Sequence, residues 1–323
     1  MSEKLKFGSL HVMKVRGVAV TGEVEVRGKK YIIRNYVPSD MKEVLDLSRD
    51  LYDREINPIT GLHINEELLA TMERSANLVT DLLVVECEAV VCGFLRYVVW
   101  ENCFSGEVIT ENISMYIRPE CRSKMLFSSI VSALESIAFH NGSGVITISF
   151  ETPGKKYAKR RLMEGMGFCS AGVFLCKKPK IYPEVSPEVS ASLFRLPGVL
   201  WFVKKNMFKN GWLSFCKWVL LELYGWFMNR KGGKIFICDG NGFIFAKTMV
   251  RGYDMQKISI VTLICFPSES LIAMLESWSY KNGCAEVRIN TSFFDVDPRS
   301  LFPDYERFGY DVLGFVMRKL IYR

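Results

Sequence analysis

A repeated stretch most constrains how this chain of 323 residues can fold. Its first copy holds LESIAFHNG at 134–142 and MEGMGFCSAGVFLCK at 163–177, and its second holds LESWSYKNG at 275–283 and YERFGYDVLGFVMRK at 305–319. The first blocks lie 275 − 134 = 141 residues apart, and the glycines of the second blocks lie 309 − 167 = 142 apart. Two blocks that recur in the same order at nearly one period predict a duplicated domain, because such a period is too long for a small stacked repeat.

Composition is consistent with two ordinary domains. A chain of this length is expected to contain about two domains of roughly 150 residues each. Hydrophobic residues make up 49% and charged residues 24%, which suits two buried cores. The net charge of +7 is mild. It favours a soluble basic protein over a dedicated nucleic-acid binder, and it would also suit an anionic ligand such as a nucleotide-bearing cofactor.

Cysteine and histidine usage predicts neither disulfides nor a metal site. The ten cysteines have irregular spacings without a CxxC pair, and the three histidines are scattered, so no zinc site is expected. The opening MSEKLKFGSL lacks the apolar run of a signal peptide. These features predict reduced thiols and a cytoplasmic protein.

The order of predicted elements indicates a mixed α/β architecture. An N-terminal strand extension at 1–29 precedes a first domain at 30–178, which reads strand, two helices, three strands, helix, strand, helix, strand. A proline-containing linker at 179–190 leads to a second domain at 191–323 with the same order of elements.

The start of the first long helix carries a capping signal. Asp40 precedes an apolar pattern of helical period, and Glu43 follows three residues later. This spacing predicts that Asp40 is the N-cap of the helix and that Glu43 completes a capping box.

A tryptophan-rich stretch at 191–230 differs from the rest of the chain. It holds four of the six tryptophans, with lysines interleaved. Its most apolar run, 213–228, is interrupted by Lys217 and Glu222 and is shorter than the ~20 residues that span a bilayer. We interpret it as a buried core helix rather than a membrane span. The alternative is a helix that binds a protein partner or a membrane surface.

Four motifs carry a family resemblance: IIRNYVPSDMKEVLDL, NISMYIRPECRSKML, LMEGMGFCSAGVFLCK and DYERFGYDVLGFVMRK. On these the chain resembles the GNAT (N-acetyltransferase) superfamily, from about residue 30 to 178 and again from 191 to 323. Tandem GNAT domains with one degenerate half are a known arrangement, and phage-encoded members look similar in style. The resemblance implies that each domain has a mostly antiparallel sheet flanked by helices. It also implies an acyl-CoA-dependent N-acyltransferase that moves acetyl from acetyl-CoA to an amine, in the host cytoplasm if phage-encoded.

The resemblance also implies where acetyl-CoA binds. In the family, pantetheine inserts between the splayed fourth and fifth strands, and the pyrophosphate rests on a loop at a helix N-terminus, where unpaired N–H groups attract anions. The family's loop reads Arg or Gln, two residues, Gly, one residue, Gly or Ala. Here Met125 and Phe127 stand at the two glycine positions, and Met125 is expected to crowd the pyrophosphate. The cofactor-binding residues implied are Tyr116, Ile117, Arg118, Arg122, Ser123, Lys124, Met125, Leu126 and Phe127.

The resemblance implies only some of the family's catalytic residues in this chain. The family's general-acid tyrosine, just ahead of the final Gly-Phe turn, is replaced by Met163, and Tyr157 on the preceding turn is the available substitute. The second domain has Tyr305 at that position, which we interpret as a structural residue. Glu111, near the start of the fourth strand, is the candidate general base, with Glu151 as a weaker one.

Three functional hypotheses remain open from the sequence. The first is an N-acyltransferase whose second domain, with a shorter loop after Cys265 that lacks arginine and glycine, binds no cofactor. The second is a catalytically silent GNAT-like subunit, for example in a viral assembly, which the lost glycines and tyrosine favour. The third, not favoured, is a nucleic-acid-directed protein that uses a basic cluster. We otherwise interpret that cluster as a solvated helix face or as a contact for the cofactor's 3′-phosphate; it comprises Lys155, Lys156, Lys159, Arg160 and Arg161.

Overall fold

The chain divides into two compact units. Unit 1 comprises residues 1–170 and 317–323, and unit 2 comprises 171–316. The computed structural model describes residues 4–7, 10–13, 21–56, 66–76, 80–101, 107–150, 156–182, 234–239, 242–250, 257–265, 267–290 and 305–321. The tryptophan-rich stretch at 191–230 therefore lies outside the described residues.

Unit 1 alternates strands and helices in the predicted order. Its strands are β1 (Lys4–Phe7), β2 (Leu10–Met13), β3 (Thr21–Val26), β4 (Lys29–Asn35), β5 (Asp81–Cys87), β6 (Val90–Glu101), β7 (Val108–Ile117), β8 (Val145–Phe150) and the start of β9 (Cys169–Lys177). Its helices are α1 (Met41–Leu51), α2 (Glu66–Ala76), α3 (Lys124–His140) and α4 (Lys156–Glu164). A π-helical turn, Tyr52–Ile56, extends α1.

The sheet of unit 1 is antiparallel except at one pair of strands. Its order is β8-β7-β6-β5-β4-β3, with the end of the last strand of the chain beside β8. The exception is β7 with β8, which run parallel because α3 connects them. The hairpin of β1 and β2 joins this sheet through β6.

The apolar face of α1 closes one side of this sheet. Its buried side chains pack on alternate residues of three neighbouring strands, as expected for a helix with apolar positions three and four residues apart. The members of this core are Val44, Leu47, Leu82, Val84, Val91, Phe94 and Tyr116, with Tyr36 and Leu51 at its margin.

The predicted capping role of Asp40 is wrong, although its position is right. The helix begins at Met41 with Asp40 as N-cap, but the Asp40 side chain makes no capping hydrogen bond. Its carboxylate instead accepts two hydrogen bonds from Arg34, at 2.7 and 2.9 Å, and one from the Val37 N–H at 2.9 Å. Arg34 also donates to Glu86 on β5 at 2.9 Å. Arg34, six residues before Asp40, thus takes the carboxylate that would otherwise cap the helix, and Glu86 helps to hold that arginine.

We expect Asp40→Asn to destabilise the protein. The hydrogen bonds from Arg34 are the main cause of the lowered pKa of Asp40, which burial partly opposes. A carboxyl whose pKa is lower when folded adds stability above its unfolded pKa, and this contribution disappears as pH falls through the folded pKa. The substitution should cost about 3 kcal/mol near pH 7. Urea unfolding of both proteins should show the difference shrinking below about pH 4; a difference that does not depend on pH would contradict the assignment.

The strands of unit 2 are also mostly antiparallel. Its elements are the remainder of β9, then β10 (Lys234–Asp239), β11 (Gly242–Val250), β12 (Lys257–Cys265), α5 (Glu269–Lys281), β13 (Glu286–Asn290) and β14 (Asp311–Leu320), whose end belongs to unit 1. The sheet order is β10-β11-β12-β13-β9. Only β12 with β13 is parallel among the described pairs of this unit, and α5 connects them. The predicted class, a mixed α/β fold with a mostly antiparallel sheet flanked by helices, is confirmed.

The helices α3 and α5 end in the same way. The N–H of Gly142 bonds to the Phe139 carbonyl, and the N–H of Gly283 bonds to the Tyr280 carbonyl. The next residue in each case bonds one residue further back, which completes a Schellman motif. Both glycines have a positive φ, 70° and 69°, which explains why the Asn-Gly pair recurs in the sequence.

In each unit a lysine bonded to a glutamate and to a backbone carbonyl, here called a lysine clasp, fixes the final turn. In unit 1, Lys319 Nζ donates to Glu135 Oε1 at 2.8 Å and to the Met166 carbonyl at 2.9 Å. In unit 2, Lys177 Nζ donates to Glu276 Oε1 and to the Phe308 carbonyl, both at 2.6 Å. Lys319 belongs to the second copy of the sequence repeat but bonds to a glutamate of the first copy, and Lys177 of the first copy bonds to a glutamate of the second. The domain boundaries predicted at 178 and 323 place each of these lysines with its own copy.

No helix among the described residues is long and apolar enough to cross a membrane.

Candidate functional site

The site in unit 1 is an opening between two parallel strands. β7 and β8 pair from Ile109 with Val145 to Asn112 with Ile148. Beyond this pair β7 continues to Ile117 and β8 to Phe150, without further pairing between them. The two strands therefore separate at the end where α3 begins.

A β-bulge lies directly at the point of separation. Opposite β6, Arg96 pairs with Ser114 and Tyr97 with Asn112, so Ile113 is the extra residue. The buried side-chain amide of Asn112 donates to the Ser114 carbonyl at 3.0 Å and to the Arg96 carbonyl at 3.3 Å. Asn112 thus satisfies carbonyl groups on both sides of the bulge and stabilises the bend that opens the strands.

The opened edge of β7 offers backbone donors. The Arg118 N–H bonds to the Cys92 carbonyl on β6 at 2.9 Å. Backbone groups of a strand alternate between its two edges, so the N–H groups of Ile117 and Met115 face the opened side. Tyr116 lies between them, and its side chain is buried beneath α1.

Arg122 closes the end of this edge. Its Nε donates to the Ile117 carbonyl at 2.7 Å, its Nη2 is hydrogen-bonded to Glu55, and its guanidinium lies 5.2 Å from the centre of the Tyr116 ring. Arg122 is therefore at the predicted cofactor loop, and its side chain is held by protein groups.

The N-terminus of α3 is arranged for an anion. Ser123 is the N-cap, and its hydroxyl accepts the Leu126 N–H at 3.0 Å, while the Phe127 N–H bonds to the Ser123 carbonyl at 3.1 Å. Among the described residues, the N–H groups of Lys124 and Met125 are left for a ligand. Leu126 is fully buried, whereas the Met125 side chain is 51% exposed. An exposed, unbranched methionine can move aside more easily than a packed one.

Glu111 lies two residues before the bulge and is mostly buried. Its Oε2 accepts a hydrogen bond from the Trp100 Nε1–H at 2.9 Å. Burial raises the pKa of the Glu111 carboxyl, and the Trp100 hydrogen bond and the charge of Arg318 oppose part of that rise. A carboxylate with a raised pKa next to an opening is typical of a general base.

The other predicted catalytic residues are not brought to this opening by any described contact. Tyr157 is 53% exposed on α4, and Met163 is fully buried. Tyr305 lies in the turn of unit 2, where its carbonyl accepts the Tyr310 N–H at 3.0 Å. Glu151 and Lys155 lie outside the described residues. In the basic cluster on α4, Arg160 pairs with Glu164 one turn later, at 2.8 Å.

Several residues of this site were missed by sequence reasoning. Asn112 carried a usable signal, since asparagine is depleted in strands and this one interrupts an apolar strand pattern. Trp100 and Glu55 carried none, because their partners are distant in sequence. Within the described part of the chain, no group of acidic, cysteine or histidine side chains is placed to hold a metal ion.

Unit 2 repeats the parallel pair of strands and the bulge but has a shorter connection. Parallel pairing of β12 with β13 ends at Val261 with Ile289, and Thr262 is the extra residue opposite β11. The distance along the chain from the bulge to the glycine after the helix is 142 − 113 = 29 residues in unit 1. In unit 2 it is 283 − 262 = 21 residues. The eight missing residues include one helical turn, since α3 has 17 residues and α5 has 13.

The N-terminus of α5 also differs in charge. Glu269 is its first residue and forms an ion pair with Arg307. A carboxylate at this position takes the place that an anionic ligand would occupy at a helix N-terminus.

Comparison with solved structures identifies the fold. A GCN5-related N-acetyltransferase from Sphaerobacter thermophilus matches with a TM-score of 0.53 and 14% identity, over 91% of this chain and 96% of that one. A GCN5-related glucosamine N-acetyltransferase region of a fungal multi-domain GH3 beta-N-acetylglucosaminidase matches with a TM-score of 0.55 and 10% identity. That match covers 89% of this chain, which spans only 38% of the fungal chain.

The sequence itself has no match among family models or curated proteins. On the structural matches, the chain has the fold of the GCN5-related N-acetyltransferases. The separated parallel strands and the helix that follows them are the features that the site contributes to this assignment. Identities of 10% and 14% establish this fold and nothing finer.

Proposed function

We propose that unit 1 is an acyl-CoA-dependent N-acyltransferase that transfers an acyl group, acetyl in the simplest case, to an amine. One observation carries this proposal: the parallel strands separate beyond Asn112 and Ile148 at a bulge, and a helix N-terminus with open N–H groups follows. A narrow opening with backbone donors fits an amide-containing chain such as pantetheine. The helix N-terminus fits a pyrophosphate.

In this proposal the cofactor supplies an activated thioester, and the chain supplies positions and a base. The opened edge of β7, at Met115 and Ile117, holds the amide-containing arm. The N–H groups of Lys124 and Met125, with the Lys124 charge, hold phosphate. Glu111 accepts a proton from the ammonium form of the acceptor, directly or through water, because an amine attacks a thioester only when it is neutral. Tyr157 is the one candidate for donating a proton to the leaving thiolate.

We further propose that unit 2 arose by duplication and binds no acyl-CoA. The matched bulges, helix ends and lysine clasps support a common origin for the two units. The connection shortened by eight residues and the Glu269 carboxylate support the loss of the phosphate site. A phage origin rests on resemblance of style alone.

A catalytically silent binding or structural subunit is the second candidate. Met163, at the position of the family's general acid, is fully buried, and Met125 stands where a glycine admits the pyrophosphate. Both features favour a protein that keeps the fold without the reaction.

Titration calorimetry of the full chain with acetyl-CoA separates the two candidates. We expect micromolar binding that weakens in Arg122→Ala and strengthens several-fold in Met125→Ala, because the latter removes the side chain that crowds the phosphates. Phe139→Ala is the matched control, since it truncates a similarly exposed apolar side chain at the other end of α3. Absence of binding at millimolar acetyl-CoA, in wild type and in Met125→Ala, would overturn the enzyme proposal in favour of the silent subunit.

A further inference from the structure

Glu55 forms an ion pair with Arg122 at the mouth of the candidate site. Its side chain is 15% exposed, whereas that of Arg122 is 42% exposed, so the carboxylate is the more enclosed partner of the pair. Glu55 lies on the π-helical turn that follows α1, 67 residues before Arg122. π-Helical turns are frequent at functional sites. A carboxylate thus holds the guanidinium at a position where a ligand phosphate is expected.

A second group near this pair lacks a partner. The Tyr116 side chain is 2% exposed, and its hydroxyl has no hydrogen-bond partner among the described residues. Burial is the main cause of the raised pKa of Tyr116, and the charges of Asp50 and Glu55 add to it. The Arg122 guanidinium lies 5.2 Å from the centre of the Tyr116 ring and is hydrogen-bonded to Glu55, so the three side chains lie together. A buried hydroxyl without a partner is costly, and it calls for a specific explanation.

The paired Arg122 and the unpaired Tyr116 hydroxyl together point to an exchange of hydrogen-bond partners. We propose that Glu55 is an internal competitor for Arg122, and that acyl-CoA binds by exchange: Arg122 passes from the Glu55 carboxylate to a ligand phosphate, and Glu55 then accepts a hydrogen bond from the Tyr116 hydroxyl. The inference rests on the proposed acyl-CoA site. It makes Glu55 and Tyr116 positioning residues that set affinity without touching the reacting atoms.

The exchange leaves neither Arg122 nor Glu55 without a hydrogen-bond partner. Arg122 keeps an anionic partner in both states, and its Nε can retain the Ile117 carbonyl throughout. Glu55 loses a charged donor but gains a buried neutral one, so it is not left without a partner, which would otherwise cost most of the gain from the phosphate. Asp50 does not take the same role, because it is paired with Arg54 at 3.6 Å.

The test is a double-mutant cycle read by calorimetric titration of the full chain with CoA. Glu55→Gln weakens the competitor, and we expect about fivefold tighter binding, in line with a partly exposed ion pair. Tyr116→Phe keeps the ring beside Arg122 and removes only the hydroxyl, so we expect about fivefold weaker binding. In the double variant the Tyr116→Phe effect should disappear, because no displaced carboxylate remains to need the hydroxyl.

The matched control is Glu120→Gln, which removes one negative charge from an exposed residue in the same connection between β7 and α3. It should tighten CoA binding by much less than Glu55→Gln, because it releases no arginine. Equal changes in CoA affinity for Glu55→Gln and Glu120→Gln would show that Glu55 acts only through its charge, and this would overturn the exchange. So would additive effects of Glu55→Gln and Tyr116→Phe in wild-type-like folded protein. Absence of CoA binding in every variant would overturn the proposed function itself, and the two failures are therefore distinguishable.

Discussion

On the proposed mechanism, replacing Glu111 by glutamine is expected to lower the rate of acyl transfer by about 10²- to 10⁴-fold, the range for loss of a general base. The side chain keeps its size and can still contact Trp100, so the variant should fold and bind acetyl-CoA with nearly unchanged affinity. The measurement is kcat/KM over a pH series with an amine acceptor identified for the wild-type protein. Wild-type rates in Glu111→Gln would remove Glu111 from the proposed mechanism.

The pH profile gives a more specific test of the same residue. Burial raises the pKa of the Glu111 carboxyl, so the acidic limb of kcat/KM should lie above the ordinary glutamate value of about 4.3. Trp100→Phe removes the hydrogen bond that favours the carboxylate, so it should move this limb further upward. Glu25→Gln, on an exposed position of β3, is the control and should leave the limb in place. A limb that Trp100→Phe moves downward would contradict the assigned cause.

Replacing Lys177 by methionine is expected to destabilise unit 2 by about 3–5 kcal/mol, because it leaves a buried carboxylate without its cation. The Glu276 side chain is fully buried and that of Lys177 is 11% exposed. Among the hydrogen bonds of this carboxylate in the described part of unit 2, the one from the Tyr182 hydroxyl, at 3.4 Å, remains after the substitution. Urea unfolding followed by circular dichroism measures the loss.

The chain supplies its own control for this prediction. The equivalent pair in unit 1, Lys319 with Glu135, is 26% and 28% exposed, so Lys319→Met should cost only about 1 kcal/mol. In Lys177→Met/Glu276→Leu the buried charge is removed together with its partner, and most of the stability should return. Equal losses for the two lysine variants would show that burial does not decide the energy of these clasps.

The order of elements and the class of fold were predictable from the sequence, because local patterns carry them. Helical and strand periodicities placed most elements within a few residues, and the recurring Asn-Gly pair reported a left-handed residue at the end of α3 and α5. The start of α5 is set locally in the same way, since the Ser268 N-cap accepts the Leu271 N–H of its own first turn at 3.2 Å. The capping prediction for Asp40 failed because the Arg34 guanidinium on the preceding strand binds the Asp40 carboxylate in place of the helix N–H groups.

The candidate site was only partly predictable. The resemblance drew attention to the run that begins at Arg122, but the role of the arginine depends on Glu55, which is 67 residues away in sequence and adjacent in the fold. The bulge at Ile113 depends on the register of β7 against β6, and no pattern within β7 alone determines that register. The buried amide of Asn112 acquires its function only once this bulge exists.

The lysine clasps show the division most clearly. The sequence repeat by itself determined that Glu135 corresponds to Glu276 and Lys177 to Lys319. Only the tertiary structure decided that Lys177 pairs with Glu276 and Lys319 with Glu135. Both pairings satisfy the same local chemistry, and the choice between them depends on which strands each final strand pairs with. That choice is made by backbone pairing between strands far apart in sequence, which no local side-chain pattern determines.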